Sequence, residues 1–135
     1  MFHETIIKTV LSFCPDTQAI YLFGTYGTPD EQEESDLDIA VLFPPGRARE
    51  VGNLALSECR YALEDVFKRT VDLINIRMVN TVFQHEIIQE GRLIYKQDEY
   101  AVDVFEMQVM SFYQKLSEER AGILEEILES SKIVQ

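Results

Sequence analysis

Apolar side chains recur at Phe2, Ile6, Ile7, Val10 and Leu11, a spacing that predicts one face of a helix ended by Cys14-Pro15-Asp16. Ala19 to Phe23 is an unbroken apolar and aromatic run closed by Gly24, short enough to be a buried strand rather than a helix. Residues 25 to 35 collect Gly27, Pro29 and several acids and are expected to be loop. Leu37 to Phe43 reads as a second strand, stopped by Pro44-Pro45-Gly46. Val51, Leu54, Ala55, Ala62, Leu63, Val66 and Phe67 predict one long helix over residues 47–69. A third strand over 70–76 follows, then a helix through Val79, Val82, Phe83, Ile87 and Ile88 closed by Gly91, and a short edge strand at Leu93-Ile94-Tyr95.

Residues 99–134 predict a long helix with a candidate interruption at Gly122. Its stripe of Val102, Phe105, Val109, Phe112 and Leu116 is a seam that either packs on the parent domain or joins a partner or second subunit. The expected fold class is α/β, of the α+β kind: a small mixed β-sheet flanked by helices, with a long C-terminal helix. The expected organisation is one domain over residues 1–96 and a helical extension over 97–135.

Composition narrows the function. A chain of 135 residues, 46% of them hydrophobic, can build one core, which excludes a disordered chain and a two-domain enzyme. With 12 basic against 24 acidic residues the net charge is −12, which repels phosphate backbones and argues against long nucleic acid as ligand. Such a surface suits a basic protein partner, divalent cations, or solubility alone. Cys14 and Cys59 show no disulfide or zinc-site spacing and are read as buried apolar residues. His3, Glu4 and Lys8 make the first helix amphipathic rather than a signal peptide, and no segment approaches a membrane span, so a cytoplasmic location is expected.

The acids on the strands carry the chemistry. Asp36 and Asp38, two residues apart at the start of the second strand, leave the sheet on the same face. Asp72 interrupts the apolar run Val71-Asp72-Leu73-Ile74, an expensive position unless its charge is compensated. If the strands are neighbours, the three carboxylates offer oxygen ligands to Mg²⁺, which keeps open positions for substrate phosphates. Gly24 and Thr25 end the first strand, where an unhindered backbone and a hydroxyl suit a triphosphate. The acidic loop lacks the central glycine and final glutamate of an EF-hand.

Together, Gly24-Thr25, ten intervening residues, Asp36-Leu37-Asp38 and the later Asp72 resemble the nucleotidyltransferase superfamily of DNA polymerase beta type. The likeness spans residues 18 to 95, and the chain's small size is similar to the minimal nucleotidyltransferases that serve as antitoxins beside HEPN-domain ribonuclease toxins. The resemblance implies that Asp36 and Asp38 bind Mg²⁺, that Asp72 helps bind it and orients or deprotonates the acceptor hydroxyl, and that Gly24 and Thr25 cradle the triphosphate. It further implies transfer of AMP from ATP to a tyrosine of a HEPN-domain toxin.

Two departures stand out. Thr25 replaces the usual serine and keeps its hydroxyl, and the arginine many relatives carry shortly afterwards is missing, leaving Arg47, Arg49 or Arg77 as candidate substitutes. His85-Glu86 is read as surface, and Tyr26, next to the expected phosphate site, as lid or core packing, with stacking or self-modification as the alternatives. The alternatives to catalysis on a toxin are an antitoxin that masks the toxin by contact, and nucleotidyl transfer to a small molecule.

Overall fold

In the computed structural model, which describes residues 2–24 and 36–133, the first two expected strands become β1 (Ala19–Phe23) and β2 (Leu37–Leu42). β3 (Val71–Asn75) and β4 (Arg92–Lys96) complete a sheet of order β3-β2-β1-β4. β1 runs antiparallel to both β2 and β4, whereas β2 and β3 are parallel, so the sheet is mixed as the pattern predicted. A parallel pair needs a crossover, and here it carries α2 (Pro45–Val51) and α3 (Glu58–Phe67).

Alternate strand residues feed two cores, which is why the central strands are apolar on both faces except at Asp38. On one face Ile20, Leu22, Leu37, Ile39, Val41, Val71 and Leu73 bury against α1 (Phe2–Phe13) and α3. On the other, Ala19, Tyr21, Ala40 and Leu42 meet Ile87 of α4 (Thr81–Glu90) and Val102, Phe105 and Val109 of α5 (Glu99–Ile133). Each large aliphatic side chain so buried contributes about 1.5–3 kcal/mol. A short 3₁₀ turn, Ile76–Met78, links β3 to α4.

The single helix expected over 47–69 is two helices. Gly52 adopts the left-handed backbone (φ 63°) and donates its N–H to the Ala48 carbonyl, ending α2. Ser57 then caps α3, its side chain accepting from the Arg60 N–H. Leu54, between the helices, is buried in the first core, so the apolar stripe runs on across a break in the backbone.

α5 is continuous through Gly122. Its stripe divides by position: Val102, Phe105 and Val109 are buried, whereas Phe112 is 57% exposed and Ile123, Leu124, Ile127 and Leu128 all lie in solvent. Cys14 and Cys59 are buried, unbridged, and joined by a thiol hydrogen bond between the end of α1 and the start of α3. Among the described residues, no helix is long and apolar enough to cross a membrane.

Candidate functional site

β1 ends where β2 and β3 begin, and the sequence places its glycine and its acids at that edge. The parallel ladder sets Leu37 beside Val71 and Asp38 beside Asp72, and the antiparallel ladder sets Asp38 beside Phe23, next to Gly24. Asp36 and Asp72 are exposed and Asp38 is half-buried. The Asp38 and Asp72 carboxyls share a hydrogen bond, and the Asp38 carboxyl is pushed up to about 6. Burial is the largest cause, followed by the charge and hydrogen bond of Asp72 and the charge of Asp36. Gly24 sits at φ 76°, and a Cβ there would lie 2.1 Å from Asp38 Oδ2, so any side chain would displace the carboxylate.

The residue before Asp72 is gripped on both its backbone groups. Glu64 Oε2 accepts the Val71 N–H at 3.0 Å, and Arg60 Nε donates to the Val71 carbonyl at 2.8 Å. Arg60 also donates to Glu64 at 3.2 Å and to the Ala55 carbonyl at 2.9 Å, which locks the pair together. β3 is an edge strand, and this clamp occupies the hydrogen-bonding groups of Val71 that point away from β2. The sequence signal is only an i,i+4 Arg–Glu pair on a helix, which by itself reads as a solvent-facing ion pair.

Thr25 and Tyr26 lie outside the described residues. Arg47, Arg49 and Arg77 are not available to the Gly24 turn, correcting the expectation that one of them replaces the missing arginine. Arg47 and Arg49 follow the end of β2 and Arg77 the end of β3, whereas the acids stand at the strand starts. Arg77 donates to the Phe43 carbonyl and lies 5.1 Å above the Phe105 ring, while Arg47 pairs with Asp16 at 3.0 Å. His85 stacks flat on Tyr113 with ring centroids 3.6 Å apart, which half-covers it.

Among the described residues, no group of three or more His, Cys, Asp and Glu side chains converges closely enough to hold a metal ion. What does converge is the Asp38–Asp72 pair, with the charge of Asp36 felt by Asp38. A hard divalent cation bound through one or two carboxylates plus phosphate oxygens and water needs no more from the protein, and crowded carboxyl oxygens are its preferred donors.

The chain resembles known proteins along most of its length. A family model described as polymerase beta, nucleotidyltransferase matches residues 4–100. The protein adenylyltransferase MntA of Shewanella oneidensis is 32% identical over 125 residues, covering 91% of this chain and 85% of that protein. A crystal structure of a toxin–antitoxin with AMP-PNP aligns with TM-score 0.78 at 29% identity, covering 95% of this chain and 99% of the other. A complex of tri-AMPylated Shewanella oneidensis HEPN toxin with MNT antitoxin aligns with TM-score 0.72 at 29% identity, covering 93% and 95%.

Proposed function

The chain belongs to the polymerase beta nucleotidyltransferase family, and from that premise we propose that it is a protein adenylyltransferase antitoxin moving AMP from ATP to a tyrosine of a HEPN-domain toxin. The observation that carries this reading is the carboxyl pair Asp38–Asp72 held beside a glycine, at positive φ, where a side chain would displace the Asp38 carboxylate. Asp38 and Asp72 would hold Mg²⁺, with Asp36 as a third carboxylate that has to move toward the pair to reach it, and the ion would supply charge neutralisation for the triphosphate and the leaving pyrophosphate. Gly24 leaves room for the triphosphate to approach the backbone, with the Thr25 hydroxyl as a donor. Asp72, the more exposed of the paired acids, receives the phenolic proton as the tyrosine oxygen attacks the α-phosphorus. The bond from that phosphorus to the bridging oxygen breaks, and pyrophosphate leaves.

The test is transfer of label from α-labelled ATP to purified toxin in the presence of Mg²⁺. Label should appear with the parent chain and vanish with Asp36→Asn combined with Asp38→Asn; label that survives the double change rejects this assignment of the site. The exposed outer half of α5 supports neutralisation by contact as a second, compatible reading. The double variant separates the two: it should still bind the toxin, and full suppression of the ribonuclease at stoichiometric protein would make contact sufficient.

A further inference from the structure

At the end of the sheet opposite the carboxyl pair, a cavity of about 390 Å³ opens between α2, the turn after β3, α4 and α5. That is within the roughly 300–1,000 Å³ common for small-molecule sites. In a chain of net charge −12 its lining contains two arginines, Arg49 and Arg77, and no acid. Arg77 is held in place by the Phe43 carbonyl and the Phe105 ring, and Arg49 forms no ion pair or hydrogen bond among the described residues. Two amides, Gln84 and Gln108, also line the cavity; the Gln84 nitrogen donates to the Ile76 carbonyl at 2.8 Å, which fixes that side chain. Its rim carries an aromatic and a thioether surface in Phe112 and Met78, 57% and 51% exposed.

We propose that this cavity is a second ligand site, selective for a nucleoside monophosphate, whose phosphate lies between Arg49 and Arg77 and whose base lies against Phe112 and Met78. Guanidinium groups are the side chains best shaped for phosphate oxygens, and two of them match the charge of a monophosphate better than that of a triphosphate. A flat base gains from an exposed aromatic face, and amides that both donate and accept read its edge. The site uses none of the catalytic carboxylates, so it stands or falls apart from the transfer reaction.

The experiment is calorimetric titration of AMP into the full chain in chelator, where no metal nucleotide can form at the catalytic end. AMP should bind the parent and Asp38→Asn alike, and Arg49→Ala should weaken it about tenfold without changing the melting temperature, since Arg49 is exposed. Phe112→Ala should weaken AMP and leave inorganic phosphate unaffected. Absence of AMP binding at millimolar concentration overturns the proposal. So does binding lost in Asp38→Asn and kept in Arg49→Ala, and so does inorganic phosphate binding as tightly as AMP.

Discussion

Asp38 keeps its proton to about pH 6 because it is half-buried between two other acids. In the unfolded chain the same carboxyl titrates near 3.9, so between about pH 4 and 6 the folded chain holds a proton the unfolded chain lacks, and stability falls as pH rises. The cost is complete above about pH 6 and absent below about pH 4; discounted for solvent access, it is about 1 kcal/mol. In chelator, Asp38→Asn should therefore melt a few degrees above the parent at pH 8, and the two should converge as the pH drops toward 4. Saturating Mg-ATP should stabilise the parent and not the variant. A parent that melts higher than Asp38→Asn at pH 8 without metal would show that the crowding is not costly. The acids and Gly24 were legible in the sequence because strand alternation fixes which face a residue occupies, and an Asp inside Val71–Ile74 breaks an apolar run. The Cys14–Cys59 contact was not, since only the docking of α1 on α3 brings those thiols together.

Among the elements, α3 does more than cover a core, because its Arg60–Glu64 pair fixes the strand that bears Asp72. Glu64→Leu removes the acceptor for a part-buried N–H and strands a guanidinium, at a cost of about 1–3 kcal/mol in urea unfolding. Loosening the start of β3 should also lower kcat for toxin labelling more than it changes KM for ATP. Glu64→Gln, which keeps an oxygen for the Val71 N–H, should recover much of both. If Glu64→Leu unfolds and turns over like the parent, the clamp holds nothing of consequence. The break that separates α2 from α3 was signalled by Gly52-Asn53, yet the burial of Leu54 let the hydrophobic stripe continue and hid it.

At the scale of the molecule, α5 outruns the body it packs on. Its first half closes the second core through Val102, Phe105 and Val109, and from Ser117 to Glu129 the helix is exposed on every side. Periodicity alone gave the seam but not where it leaves the protein, because that point depends on how far the sheet and α4 extend. The free portion presents Ile123, Leu124, Ile127 and Leu128 beside five glutamates between residues 117 and 133, a surface suited to an apolar partner face with basic flanks. A chain ended after Lys115 keeps both cores and should melt close to the parent, while its affinity for the toxin, measured by calorimetry, should drop at least about tenfold. Undiminished affinity would move the docking surface elsewhere.

The pairing of Asp38 with Asp72 is written into the β2–β3 ladder and not into the twenty-eight residues that connect the two strands, Phe43 to Thr70. The exposed turn at Asn53, between α2 and α3, is consequently a tolerant point: additions there can change the outline of the molecule and the company it keeps while the reaction centre stays as it is, so long as α3 keeps its hold on Val71.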